Sequence, residues 1–158
     1  MAMNSEVASI VHSVVLNAHQ RDCRRDLSAQ FFRVFREKGW EPSSTLYFRD
    51  SRKNTPHFTK NGVLAMFSWR HYEKIGSEIL KFQKEYALGS IKAGVYICMT
   101  KSLAEYIKSQ QPKTEKPRSF NDSINLERAQ AYLEEVSSII TIPLAVMGLV
   151  PPTDEQEM

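Results

Sequence analysis

Residues 57–72, HFTKNGVLAMFSWRHY, are the stretch on which the interpretation of this chain depends. They contain a hydrophobic run, Val63 to Trp69, which is typical of a buried β-strand. Trp69 alternates in phase with Phe67 and Ala65, so we expect it to lie in the core or at an interface. Basic side chains surround the run, namely Lys60, Arg70, His71 and Lys74. The stretch therefore predicts a strand beside a basic surface.

The flanking sequence predicts a regular series of helices and strands. Apolar spacing indicates a helix over residues 5–20 and a second helix that Asp26 caps and Gly39 ends, with Phe31, Phe32 and Phe35 as core candidates. A β-rich run at 45–48 and a polar connection precede the strand at 63–69. The remaining elements are a helix at 74–87, a strand at 93–100, helices at 102–109 and 125–136, and a strand at 140–150 that Pro143 places near a sheet margin. Alternation of strand and helix in the second half predicts parallel neighbours and a three-layer α/β domain.

Length and composition favour one globular domain. The chain has 158 residues and 42% hydrophobic residues, so we expect a single domain over 1–152 and an acidic tail over 153–158. Cys23 and Cys98 match no zinc or disulfide spacing, which favours the reducing cytoplasm. No run approaches the roughly 18 apolar residues of a membrane span, and the first residues lack the basic region of a secretory signal.

The charge distribution is asymmetric. Residues 1–120 hold 20 Lys and Arg against 11 Asp and Glu, whereas residues 121–158 hold one Arg against seven acids. An excess of Lys and Arg suits an anionic partner such as nucleic acid, and it is equally typical of a solvated lysine-rich surface. Charge alone leaves these two interpretations open.

Five motifs in order resemble one enzyme family. They are FREKGWEPSSTLYF, HFTKNGVLAMFSWRHY, AGVYICMTKSL, DSINLERAQAYL and IPLAVMGLVPP. Together they cover roughly residues 27–152 and resemble the BglII and BstYI type II restriction endonucleases, which have the PD-(D/E)xK nuclease fold. The resemblance implies a three-layer α/β/α core with a mixed central sheet and N-terminal helices. It also implies double-stranded DNA as partner and a homodimer that matches a two-fold site.

The resemblance fails at the positions where the family carries its chemistry. There an Asp opens the second motif, a Glu follows nine positions later, and a Gln or Lys follows two after that; the carboxylates hold Mg²⁺, which activates water. This sequence has His57, Met66 and Ser68 at those positions. A thioether is a poor magnesium ligand, and a serine does not replace an ammonium group. We therefore expect a catalytically degenerate pseudo-nuclease without a cofactor.

Three functions remain open at this point. The first is a protein that binds double-stranded DNA without cutting it, with phosphate contacts from Arg49, Arg52, Lys53, Lys60, Arg70, His71 and Lys74. The second is an active Mg²⁺-dependent endonuclease that uses relocated acids, of which Asp50 and Glu73 are the nearest. The third is a protein-interaction module, such as a partner or inhibitor of a related nuclease.

Overall fold

A five-stranded sheet forms the centre of the computed structural model, which describes residues 2–19, 23–42, 57–69, 71–111 and 122–153. The strands are β1 (Glu41–Pro42), β2 (His57–Lys60), β3 (Val63–Ser68), β4 (Ala93–Met99) and β5 (Leu144–Leu149). The helices are α1 (Ala2–Ser13), α2 (Cys23–Glu37), α3 (Ile75–Ala87), α4 (Lys101–Gln110) and α5 (Leu126–Glu135), and a 3-10 turn at Tyr72–Lys74 leads into α3. The strands follow one another across the sheet in chain order.

The β2–β3 hairpin fixes the register of the central strand. Its two-residue turn, Asn61-Gly62, has positive φ at both residues, 50° and 78°. Such a turn follows the right-handed twist of paired strands, and Asn-Gly adopts it readily. The turn places Lys60 opposite Val63 and, further along, His57 opposite Met66. The expectation of a polar connection before β3 is therefore wrong for residues 57–60, and the Asn-Gly pair is the sequence signal for the extra strand.

The sheet has helices on both faces. Ala65 and Phe67 belong to a core cluster shared with α1, α2 and α4, whereas Leu64 and Met66 belong to a cluster shared with α3 and α5. We call these the α1/α2/α4 face and the α3/α5 face. Strands β3, β4 and β5 are parallel, and β1 and β2 are antiparallel to their neighbours. The predicted parallel neighbours and three-layer arrangement are confirmed.

Helix α1 is shorter than its apolar spacing predicts, because it ends at Ser13 and not near residue 20. The Ser13 hydroxyl donates to the Ile10 carbonyl oxygen at 2.7 Å. Beyond it, the Val15 peptide groups bond the side-chain amide of Gln30 in α2, at 2.9 Å through the Val15 nitrogen and 2.7 Å through its carbonyl oxygen. These bonds supply the Val15 backbone with partners that helix continuation would otherwise provide.

Helix α2 begins earlier than predicted and ends where predicted. It starts at Cys23, so Asp26 lies in its first turn and does not cap it. The Asp26 carboxylate instead accepts hydrogen bonds from Gln30 at 2.9 Å and Asn17 at 3.3 Å. This pairing ties the segment after α1 to the beginning of α2.

A glycine cap closes α2 and brings a tryptophan into the core. Gly39 has φ 83° and its nitrogen donates to the Arg36 carbonyl oxygen, while the Trp40 nitrogen donates to that of Phe35. This is the hydrogen-bond pattern of a Schellman motif. The buried Trp40 ring meets Phe35 edge-on, with ring centroids 5.3 Å apart.

The aromatic core follows the predicted spacing with one exception. Phe31 and Phe35 are buried, and Trp69 is buried edge-on against Phe67, as predicted. Phe32 is 42% exposed, so its assignment to the core is wrong. Its ring lies at the surface, 5.7 Å from the ring of Phe58 and beneath the Arg36 guanidinium.

The second half of the chain agrees closely with the sequence pattern. Helices α3, α4 and α5 and strand β4 each begin and end within one residue of the predicted bounds. Strand β5 is shorter than predicted and lies at the edge of the described sheet, directly after Pro143, with half-buried apolar side chains. The strand predicted at 45–48 lies outside the described residues. No helix in the described part of the chain is long and apolar enough to cross a membrane.

Packing between α3 and β4 leaves room only for glycine at position 94. A Cβ at Gly94 would overlap the Phe82 ring and lie 2.9 Å from Leu144 Cδ1. We expect Gly94→Ala to lower the free energy of unfolding by about 1–3 kcal/mol through overpacking. Urea denaturation measures the loss.

Gly89→Ala is the matched control. Gly89 has φ 75° and no atom within 4 Å of the added Cβ, so the substitution costs only the left-handed conformation, about 1 kcal/mol. A Gly94→Ala protein as stable as wild type would contradict the close α3–β4 packing.

Candidate functional site

His57, Met66 and Ser68, which the resemblance places at the family's catalytic positions, lie together on one face of the sheet. Met66 and Ser68 are two residues apart on β3, and His57 is the cross-strand partner of Met66. Because alternate residues of a strand share a face, all three side chains belong to the α3/α5 face. Their exposed fractions are 5% for His57 and 0% for Met66 and Ser68. The three residues that the resemblance selects therefore form one spatial group, and that group is buried.

A carboxylate from α3 occupies this face. Glu78 is completely buried, and its Oε1 accepts a hydrogen bond from the Ser68 hydroxyl at 3.0 Å. Its Oε2 accepts a hydrogen bond from the Tyr96 hydroxyl. Tyr96 lies on β4 directly beside Met66 in the parallel register. We call Ser68, Glu78 and Tyr96 the Glu78 cluster; it joins α3, β3 and β4 by polar contacts inside an apolar layer.

Burial keeps the Tyr96 hydroxyl and the Cys98 thiol in their protonated forms. Burial raises the pKa of the Tyr96 hydroxyl far above its ordinary value, and the adjacent Glu78 carboxylate raises it further. Burial also raises the pKa of the Cys98 thiol to about 12, with smaller contributions from the charges of Glu127 and Glu78. Tyr96 therefore serves as a hydrogen-bond donor, and Cys98 remains an unreactive thiol.

The side chains present do not fit a magnesium site. Mg²⁺ requires near-octahedral oxygen ligands, whereas Met66 offers a thioether and His57 an imidazole. The Glu78 oxygens already accept hydrogen bonds from Ser68 and Tyr96. Within the described ranges, no group of three His, Cys, Asp or Glu side chains is placed to hold a metal ion.

Of the two acids considered for relocated catalysis, the structure describes Glu73 but not Asp50. Asp50 lies outside the described residues. Glu73 lies in the 3-10 turn before α3, with its side chain 71% exposed and its Oε2 3.6 Å from His71 Nδ1. The acid that does lie beside Ser68 is Glu78, which the sequence interpretation missed. Its signal was present, because Glu78 falls within the apolar stripe formed by Ile75, Ile79 and Phe82.

The predicted DNA-contact residues divide into three groups. Arg49, Arg52, Lys53 and Arg70 lie outside the described residues. Lys60 is engaged within the protein: its Nζ donates to Glu6 Oε1 at 2.8 Å and to the Lys38 carbonyl oxygen at 2.7 Å. His71 and Lys74 are exposed just beyond the carboxyl end of β3. The described part of the predicted basic surface thus centres on residues 71–74.

Comparison with known proteins identifies the class of this fold. The crystal structure of free BglII is similar, with a TM-score of 0.67 over 97% of this chain and 73% of that chain. The two sequences are 12% identical, so this likeness concerns the fold alone. A mixed sheet with helices on both faces and this match define a restriction-endonuclease-like α/β protein.

The family follows from the sequence itself. The family model of the restriction endonuclease BglII/BglIII matches residues 4–149, and the chain belongs to this family. No curated protein sequence matches the chain significantly. The expected family and fold class are confirmed.

An acid at position 66, where the resemblance expects one, should destabilise the protein. Met66→Glu places a second carboxylate in the buried layer that already holds Glu78, and we expect a loss of about 3 kcal/mol or more in the free energy of unfolding at pH 7. Met66→Leu, which conserves volume, should cost less than about 1.5 kcal/mol. Chemical denaturation with and without 10 mM Mg²⁺ compares the variants; a Met66→Glu protein that Mg²⁺ restores to wild-type stability would refute a sealed face.

The raised thiol pKa makes stability depend on pH in alkaline solution. The thiol has an ordinary pKa of 9.0 and a folded pKa of about 12, so its contribution is full below pH 9 and is lost as pH rises from 9 to 12. We expect wild type to lose roughly 1 kcal/mol more than Cys98→Ala between pH 8 and pH 10. Urea denaturation of both proteins at the two pH values tests this, and identical losses would contradict it.

Proposed function

We propose that this member of the BglII/BglIII family binds double-stranded DNA and does not cut it. The observation that carries the proposal is the burial of the α3/α5 face of the sheet. His57, Met66 and Ser68, which the resemblance assigns to the family's catalytic positions, are all buried there. Water and a phosphodiester have to reach the acids of a metal-dependent nuclease. A face sealed by α3 and occupied by Glu78 does not meet that requirement.

Membership of a restriction endonuclease family and the basic character of residues 1–120 support DNA as the partner. Phosphate contacts to Lys and Arg supply most of the sequence-independent affinity for DNA. His71 and Lys74 are exposed at the carboxyl end of β3, the edge of an α/β sheet where ligands usually bind. The proposed contact surface comprises Arg49, Arg52, Lys53, Lys60, Arg70, His71 and Lys74, with Lys60 the member that also pairs with Glu6.

The proposal includes a homodimer in the cytoplasm. A two-fold protein matches a palindromic duplex, so each copy would contact one half-site. Cys23 and Cys98 are both buried thiols, which agrees with a reducing compartment.

A native gel with labelled duplexes tests the proposal. Duplexes that contain GATC-type palindromes are incubated with the protein, Mg²⁺ and increasing salt. We expect intact, retarded DNA whose retardation weakens steeply with salt, because binding releases counterions. Shorter products would refute the loss of cleavage, and free DNA at every salt concentration would refute DNA binding.

A lysine pair tests the position of the contact surface. Lys74 precedes α3 and Lys84 lies in its last turn, and both side chains are exposed. We expect Lys74→Ala to weaken binding several-fold and to reduce the slope of log affinity against log salt by about one, whereas Lys84→Ala leaves both unchanged. Equal effects of the two substitutions would place the surface elsewhere.

A further inference from the structure

An arginine outside the predicted DNA-contact residues lies next to residues 71–74. Arg128, near the beginning of α5, places its guanidinium over the Tyr72 ring, with Cζ 4.6 Å from the ring centroid. Its Nη1 also donates to the Ser123 carbonyl oxygen at 3.1 Å. A planar guanidinium held on an aromatic ring and by one carbonyl has a fixed orientation, which lowers the entropy lost when it binds a ligand.

Backbone contacts hold this arrangement at the end of the sheet. Residues 71 and 123 form an isolated antiparallel bridge, and the Tyr72 nitrogen donates to the Asp122 carbonyl oxygen at 2.7 Å. A second isolated bridge joins Asn125 to Met99, the last residue of β4. Segment 122–125 therefore spans the carboxyl ends of β3 and β4, and it brings Arg128 beside the exposed His71 and Tyr72.

The charge of Arg128 is not cancelled within the described structure. Its partners there are the Tyr72 ring and the neutral Ser123 carbonyl oxygen, and no described carboxylate forms an ion pair with it. A guanidinium has five N–H donors in a fork that matches a phosphate. Since Nη1 is the one guanidinium nitrogen that the described residues engage by a hydrogen bond, donors remain for an anion. Arg128 is also the single basic residue among residues 121–158, which hold seven acids.

We propose that Arg128 binds a backbone phosphate of duplex DNA and that Tyr72 positions its guanidinium. This inference rests on the proposed DNA binding and adds a contact from α5 to the surface at the end of β3. Arg128 fixes the position of the duplex and reads no base, as phosphate contacts do.

The test compares full-length variants for affinity to one labelled duplex across a salt series, with melting temperature measured for each. We expect Arg128→Gln to weaken binding about ten-fold, the loss of one hydrogen-bonded charge contact, and to reduce the salt slope by about one. Arg128→Lys should keep the wild-type slope with an intermediate affinity, since the charge remains without the fork. Arg33→Gln, which removes an exposed cation of α2, should leave affinity and slope unchanged.

The aromatic partner has its own pair of variants. Tyr72→Ala should weaken binding several-fold with an unchanged slope because it removes no charge, and Tyr72→Phe, which keeps the ring, should bind like wild type. Equal affinities of these two variants would overturn the positioning role of Tyr72.

The outcomes for Arg128 separate its role from the proposed function. Wild-type protein that binds no duplex at low salt would overturn DNA binding itself. Wild-type binding with an unaltered Arg128→Gln would overturn only the role of Arg128. An Arg128→Gln protein that loses affinity but keeps the wild-type salt slope would also overturn it, because Arg128 would then act through folding and not through a phosphate.

Discussion

The register of β3 is the constraint on which the rest of the molecule depends. The strand is buried on both faces and paired on both sides, antiparallel to β2 and parallel to β4. Side chains alternate along it, so a shift of one residue would exchange the α1/α2/α4 face with the α3/α5 face. The Asn61-Gly62 turn prevents that shift by allowing only two residues between the strands. The same turn thus determines which side chains of β3 enter the core on each face and which of them form the candidate site.

The Glu78 cluster shows what this register leaves at the centre of a nuclease fold. A carboxylate inside an apolar layer is costly unless hydrogen bonds satisfy it. Ser68 and Tyr96 provide those bonds, so the cluster holds helix α3 to the sheet. The Glu78 cluster is polar, whereas the side chains around it are apolar and pack the α3/α5 face. Its chemistry is that of a structural cross-link between three elements.

Sequence patterns predicted the parallel half of the fold well, because long apolar stripes and buried runs follow a single period. Helix α3 and strand β4 are examples. The sequence patterns gave the wrong helix end where a side chain replaces a backbone hydrogen-bond partner, as the Gln30 side chain does for the Val15 backbone. For the candidate site, the resemblance selected His57, Met66 and Ser68, which the fold brings together, whereas Glu78 and Arg128 lie on α3 and α5. Only the fold shows that α3 covers Ser68 and that α5 meets Tyr72.

The edge strand β5 has a consequence for the behaviour of the protein in concentrated solution. An unpaired, apolar strand edge is a template for intermolecular β-pairing. Proline has no backbone N–H, and Pro143, Pro151 and Pro152 lie on either side of the six residues of β5. If a strand from another molecule paired with β5, the hydrogen bonds between the two strands could not continue past these prolines. At this edge of the described sheet, the prolines thus confine intermolecular pairing to at most the six residues of β5.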